Sequence, residues 1–562
     1  MPLGGGAGRV VHIGDQPVDL SINAYYNVVK PEVGSRWQLR TQLTFIFRCG
    51  RLAEINPLET WRCAMVDRRT LIKGVGSAFV ASALDLPSVR AEASDPLCYA
   101  SVDELIAMFK AKKASPVDLL KAQIKQIETF NSKVNCITDA HFDEALKEAR
   151  QSEDRYRRDE ARPLEGITVA VKDEFARPGW RITQGSLLFK NSPRATESSA
   201  IIDSLEAAGA IMPIQTTVPE FYLFLGASTR AWGTTHNPWD IEYSPGGSSA
   251  GSGAALAAGF ATLALGSDMG GSIRIPASQN GVYGFRPPFG RVAGGEVPMS
   301  TSGPMARRFD DLVHLQNAVV GPSDKIMAAI RPGLDYPAQY PDLSGWRIAV
   351  DWGAGIATMT PSMKDAMLKG VEALRAAGCR VEEVDCGFSK TERSTFLHGL
   401  MSTSIGSFTE LANSRRDQLS AYMTDFLGLV GPVGPRQAEA AEELLERWHR
   451  QVQQRVFGKG YRILLMPTMA TSLVNADMFK SKENKLAFWE GTGLGYALTW
   501  PWNLLNRYPI VDVPLGIVED RMPAGMQVIG QTFTDLDTFQ FASNWSRLRP
   551  ALFTDGRFPT FA

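Results

Sequence analysis

A chain of 562 residues with 59 lysines and arginines against 60 aspartates and glutamates has a net charge of −1, which gives no electrostatic case for a nucleic-acid partner. Its 44% hydrophobic residues are ample for a large core, and 21% charged residues is ordinary for a soluble enzyme. The six cysteines, at positions 49, 63, 98, 136, 379 and 386, form no C-x-x-C pair and no zinc spacing, so free buried thiols and no metal site are expected.

In chain order, the first signal is an export-like pattern. Asp67-Arg-Arg-Thr-Leu-Ile-Lys73, an apolar run from Gly74 to Leu84, and Ala91-Glu-Ala93 read together as a twin-arginine signal peptide over residues 65–93. The run is too short to span a bilayer, so no stable membrane insertion is expected. The alternative is a basic helix start leading into a buried helix. The first reading places the protein in a bacterial periplasm, the second in the cytoplasm. Met65 stands where such a signal would begin, so residues 1–64 read as a non-native or unstructured extension. Residues 94–562 form the main domain.

Ser101-Val-Asp-Glu104 has the form of a capping box, and Ser115-Pro-Val-Asp118 starts a second helix with proline at its first position, running to about Phe130. A charged amphipathic stretch covers 142–158. Strands are predicted at 168–171 and 211–215, with a helix over 199–208 between them. The second half opens with a strand near 345–350, a helix over 362–377 and a strand over 380–384. A long charged helix covers 437–454, and strands at 463–466, 510–513 and 526–529 return to the sheet. This alternation predicts an α/β fold, with no internal repeat.

Chemistry concentrates in two segments, Ser244-Pro-Gly-Gly-Ser-Ser-Ala-Gly-Ser-Gly253 and Gly266-Ser-Asp-Met-Gly-Gly-Ser-Ile-Arg-Ile-Pro276. Their glycines let backbone N–H groups approach a ligand and stabilise an oxyanion, and Ser248, Ser249 and Ser272 supply hydroxyls. None of the six histidines lies in a serine-hydrolase pattern. A lysine can replace them. Lys172 ends the short apolar strand that follows Gly166, where burial would disfavour its charged form. Taken alone, it reads more readily as a solvated strand-end lysine, because lysines are seldom buried.

Together these segments resemble the amidase signature family. The lysine at a strand end, Gly246 to Gly251, and Gly270 to Pro276 occur in the family's order, and Met466-Pro-Thr468, Asn503, Pro509, Val513 to Gly516 and Pro523 to Gly530 look like its C-terminal landmarks. The resemblance covers roughly Ser101 to the C-terminus. It implies the family's fold, a central mixed β-sheet surrounded by helices, and a catalytic domain over 94–562. It also implies Ser272 as nucleophile, Ser248 as proton relay after a cis peptide bond, and Lys172 as base. The N–H groups of Met269, Gly270, Gly271 and Ser272 would hold the oxyanion.

Among the supporting residues, Ser249 bonds near the site or packs a turn. Asp268 and Arg274 form a buried ion pair fixing the loop. Asp173 braces the lysine or a helix end, and Ser244 and Ser252 are turn and cap residues. No cofactor is implied.

The expected substrate is a small-molecule amide, apolar or aryl, on the strength of aromatics at 221–224, Trp232, 488–489 and 500–502. Taken singly, each of these is more readily read as a core residue than as a ligand contact. A carbamate offers the same carbonyl–nitrogen bond, so urethanase-like cleavage is the alternative. Two others are the glutaminase component of a tRNA-dependent amidotransferase and a non-catalytic scaffold. Monomer and homodimer are both open.

Overall fold

A computed structural model describes residues 95–562 apart from 295–296, 354, 405–410, 432, 478–494, 550, 555–556 and 562, together with the backbone of 2–13, 16–27 and 37–45. The chain divides into two compact units, Met1–Val89 and Arg90–Ala562. In the first, β1 (Pro2–Ile13), β2 (Gln16–Asn27) and β3 (Trp37–Phe45) form an antiparallel sheet in that order. The sequence reading gives residues 1–64 no fold. The signal it lacked is alternation: Val18, Leu20, Ile22, Ala24 and Tyr26 are separated by single mostly polar residues, the period of a strand. The twin-arginine stretch, 65–93, lies outside the described residues, as do Cys49 and Cys63.

The second unit is built on one sheet of 11 strands, with a separate two-stranded hairpin of β7 (Ser228–Thr229) and β8 (Gly233–Thr234). The order of the large sheet brings chain-distant strands together. β4 (Ile137–Ala140), β6 (Ile211–Thr216), β5 (Thr168–Lys172) and β9 (Leu263–Asp268) lead into β11 (Thr301–Ala306) and β10 (Tyr283–Arg286). Then come β15 (Ile510–Val518), β16 (Met522–Gly530), β14 (Ile463–Pro467), β12 (Arg347–Val350) and β13 (Arg380–Glu383). Pairing is parallel among β6, β5 and β9 and among β14, β12 and β13, and antiparallel through the middle from β9 to β14. The sheet is therefore mixed, with helices on its faces.

Strands β5, β6, β9 and β14 are buried along their whole length, the pattern of a sheet covered on both sides. Alternate residues feed separate cores. Val169 and Val171 enter one, Ala170 another, and Ile463 and Leu465 alternate with Leu464 and Met466 in the same way.

Helix starts follow the expected chemistry. Ser101 caps α1 (Val102–Lys110), with Glu104 accepting in return from the Ser101 N–H at 2.7 Å. Ser115 and Asp118 do the same for α2 (Pro116–Val134). The Ala/Gly run after Ser249 becomes α3 (Ala250–Ala257), every residue of which is buried. Small side chains permit that: a Cβ on Gly251 would stand 2.4 Å from the Thr217 N and 2.5 Å from the Cys136 O. After β9, α4 (Arg274–Asn280) is likewise wholly buried. These two helices bring residues 248 and 272 to the C-terminal ends of β5 and β9.

Cys98, Cys136, Cys379 and Cys386 are free buried thiols. Among the described residues, no helix is long and apolar enough to cross a membrane.

Candidate active site

Lys172 ends β5 with its side chain fully buried. Its Nζ lies 2.8 Å from Ser248 Oγ, 2.7 Å from Ser267 Oγ and 3.2 Å from Glu174 Oε2, and 5.1 Å from the centre of the Tyr222 ring. Burial, which disfavours the ammonium, pushes its pKa down; the charges of Glu174, Asp268 and Asp173 pull the other way without cancelling it. Of the two readings of this lysine, the buried one describes the structure. The peptide bond between Gly247 and Ser248 is cis, as the family resemblance implies. Gly247 is needed for space, because a Cβ there would meet the Gly226 N at 2.7 Å.

Ser272 sits in the turn between β9 and α4, and Asp268 at the end of β9 organises that turn. Its carboxylate is fully buried and takes three donors on each oxygen. Oδ1 accepts from Gly271 N at 2.8 Å, Arg274 Nη2 at 2.9 Å and Asn503 Nδ2 at 2.8 Å. Oδ2 accepts from Ile273 N at 3.2 Å, Arg274 N at 3.4 Å and Arg274 Nε at 2.9 Å. Burial raises the Asp268 pKa, but Arg274, Arg286 and Asn503 outweigh it and hold the group below the usual carboxylate range. Arg274 continues outward, donating to Gln527 Oε1 at 2.6 Å, Asn503 Oδ1 at 2.6 Å and the Thr499 carbonyl at 3.0 Å. Thr499 Oγ1 in turn donates to the Gly270 carbonyl at 2.6 Å. The expected Asp268–Arg274 ion pair is thus the centre of a larger network.

Two expectations change in detail. The Gly271 N–H, expected to face an oxyanion, is taken up by Asp268, which leaves Met269, Gly270 and Ser272 as the donors of the expected set. Its signal was the aspartate three residues earlier, whose carboxylate reaches forward to that amide. Among the described residues, no hydrogen bond joins Ser248 Oγ to Ser272 Oγ. Catalytic contacts of this kind often close only with substrate bound. Ser249 holds the two segments together instead, donating from its N–H to the Ser272 carbonyl at 3.2 Å and from its Oγ to the Ser267 carbonyl at 3.3 Å.

Asp173 braces a loop, accepting from the Thr183 N–H at 2.9 Å and from the Thr183 hydroxyl. Ser244 Oγ accepts from Gly246 N as a turn residue. Ser252, expected as a cap, lies inside α3 and donates to the Leu265 carbonyl at 3.0 Å.

Among the aromatics, Trp500 and Trp502 are fully buried and pack against Phe396, Trp448 and Phe388, so they are core. Phe221 and Phe224 belong to the same apolar cluster, against which Met269, Leu188 and Phe189 are packed half-buried. Trp232 donates to Thr183 Oγ1 at 2.9 Å. Residues 488–489 lie outside the described residues. Sequence reasoning missed Ser267, Glu174 and Thr499; it placed Tyr222 among the candidate pocket aromatics and Gln527 in a C-terminal landmark without the contacts they make to Lys172 and Arg274. Glu174 and Ser267 were visible beside Lys172 and Asp268 in the sequence, but only the pairing of β5 with β9 makes them neighbours.

Residues 118–539 match the Amidase family model. The chain belongs to the amidase signature family of carbon–nitrogen hydrolases, and its 11-stranded sheet with surrounding helices is that family's fold. Among curated relatives, an acylamidase of Rhodococcus erythropolis is 26% identical over 468 residues, covering 81% of this chain and 96% of the relative. The glutamyl-tRNA(Gln) amidotransferase A chain of Paraburkholderia phytofirmans is 29% identical over 501 residues, covering 80% and 99%. Among solved structures, a bacterial aryl acylamidase superposes with a TM-score of 0.72 at 24% identity, covering 81% of this chain and 97% of that one. A 6-aminohexanoate cyclic dimer hydrolase complexed with substrate gives a TM-score of 0.74 at 24% identity, covering 83% and 100%.

Proposed function

We propose that this amidohydrolase cleaves an apolar or aryl amide through an acyl-enzyme on Ser272, with Lys172 as base and Ser248 as relay. The observation that carries the reading is the buried Lys172 amine 2.8 Å from the Ser248 hydroxyl, in surroundings that favour its neutral form. Neutral Lys172 takes the Ser248 proton while Ser248 takes that of Ser272, and Ser272 Oγ bonds to the substrate carbonyl carbon. Charge collects on the carbonyl oxygen, facing the N–H groups of Met269, Gly270 and Ser272; one such donor is worth about 10²–10³ in rate. The C–N bond then breaks as the proton returns through Ser248 to the leaving nitrogen. Water, deprotonated along the same route, releases the acid and restores Ser272.

Met269, Leu188 and Phe189, half-buried against the apolar cluster that includes Phe221 and Phe224, support an apolar acyl or aryl group beside this loop. The test is turnover of anilides, primary amides, aryl carbamates and glutamine by wild type, Ser272→Ala and Lys172→Ala. Anilide or apolar amide cleavage lost in both variants is expected. Cleavage of glutamine alone, or undiminished turnover in Lys172→Ala, overturns the reading. We further propose export to a periplasm, on the pattern at Arg68 and Arg69.

A further inference from the structure

Lys172 has three polar neighbours, and they are not equivalent. A tight turn follows β5: the Glu174 N–H bonds back to the Lys172 carbonyl at 2.6 Å, and the Glu174 carboxylate returns toward the amine. Ser267 comes from β9, the parallel neighbour of β5. Its Oγ donates to Glu174 Oε2 and accepts from Lys172 Nζ at 2.7 Å. Ser267 has one hydroxyl proton, and a carboxylate only accepts. With that proton given to Glu174, Ser267 can only accept from the amine, and so can Glu174. A neutral amine has two N–H bonds and one lone pair. The two N–H bonds are drawn to Ser267 and Glu174, and the lone pair is left for Ser248.

We infer that Glu174 is a positioning residue for the base: it fixes the direction of the hydrogen bonds around Lys172 so that Ser248 alone can deliver a proton, and its charge sets the pH range in which the amine is free to accept one. The inference rests on the proposed role of Lys172. The other charged or titratable groups facing the amine are Asp173 on the same turn, Asp268 at the end of β9, and Tyr222, whose hydroxyl donates to the Asp173 carbonyl at 3.1 Å. Asp268 is committed to Arg274, and Asp173 to Thr183. Glu174 is the carboxylate in direct contact with the amine, and its side chain is 28% exposed, so substitution leaves the buried network around Asp268 untouched.

The charge of Glu174 favours the ammonium. Removing it therefore makes the amine lose its proton at lower pH, moving the alkaline-rising limb of reactivity down by about one pH unit. The probe is a fluorophosphonate, which needs no knowledge of the substrate. Ser272 Oγ bonds to phosphorus, fluoride leaves, and the serine proton passes to Lys172 through Ser248. Labelling rate is measured against pH in the full chain. Glu174→Gln is expected to shift the limb down, and Glu174→Asp, which keeps the charge, to bring it back toward wild type. Ser267→Ala keeps both charges and is expected to slow labelling without moving the limb. A Glu174→Gln limb superimposed on that of wild type, or a Ser267→Ala limb displaced as far as that of Glu174→Gln, overturns the inference. Failure of the lysine-base reading looks different: wild type then shows no rising limb, or its label is found elsewhere than Ser272.

Discussion

Asp268→Asn replaces one carboxylate oxygen with an NH₂ group and tests how the nucleophile turn is held. Each oxygen of Asp268 accepts three hydrogen bonds, so the new NH₂ faces three donors whichever way it is turned. One orientation opposes Gly271 N, Arg274 Nη2 and Asn503 Nδ2; the other opposes Arg274 Nε and two backbone N–H groups. The substitution also leaves the Arg274 guanidinium, with no exposed side-chain surface, without its counter-charge. Breaking a buried pair in this way costs about 3–5 kcal/mol, a large share of the ~5–15 kcal/mol that separates folded from unfolded proteins. Urea unfolding of the purified variant should show the loss directly. Because the same carboxylate holds the Gly271 amide, fluorophosphonate labelling of Ser272 should also fall at urea concentrations where the protein remains folded. The pH response has a definite sign. The Asp268 pKa is depressed, so its contribution is fully present above the unfolded value near 3.9 and is lost only as pH falls toward the lower folded value. The deficit of Asp268→Asn should therefore be constant from about pH 5 to 8. An unchanged unfolding midpoint would refute this account of the turn.

Asp173 has the opposite sign: burial, only partly offset by the Thr183 bonds, raises its pKa from 3.8 to about 6. Its ionisation therefore destabilises the fold as pH rises through about 6, and Asp173→Asn should gain about 2–3 kcal/mol at pH ~8 with the gain vanishing below pH ~4, as urea titrations at the two pH values would show. Gly271→Ala should abolish labelling, because its φ is +125° and the added Cβ would stand 2.1 Å from Thr499 Oγ1; normal labelling would place the turn elsewhere. Replacing Arg68 and Arg69 with lysine should trap the protein inside the cell. N-terminal sequencing of secreted wild type should begin near Ser94, and a product beginning at Met1 would sink the export proposal.

Much of the second unit was legible because caps and periodicity are local. Ser101, Ser115 and Pro116 mark helix starts through bonds within four residues, and the 168–171 and 211–215 strands lie within a residue of β5 and β6. β9, β10 and β11 were not assigned. Their residues, such as Leu263-Ala-Leu-Gly-Ser-Asp268, mix small and polar side chains with few β-branched ones, and become strands only by pairing with each other and with β5 and β15. The candidate site divides the same way. Lys172, Ser248 and Ser272 stand out by motif, whereas Glu174 and Ser267 matter through contact across two strands. Trp500 and Trp502 look like pocket aromatics in sequence and fill the core, since aromatic character alone does not distinguish the two.

The reach of Arg274 to Gln527 spans 253 positions of chain. During synthesis the turn bearing Ser272 leaves the ribosome about 10–50 s before the residues that brace it, at roughly 5–20 residues per second. Over that interval the serine has its motif but not Thr499, Asn503 or Gln527 to hold its loop, and β10 has no β15 to pair with. The nascent chain is thus a hydrolase only once nearly all of it exists. A fragment ending between Ser272 and β16 would carry Lys172, Ser248 and Ser272 intact and is expected to remain chemically silent.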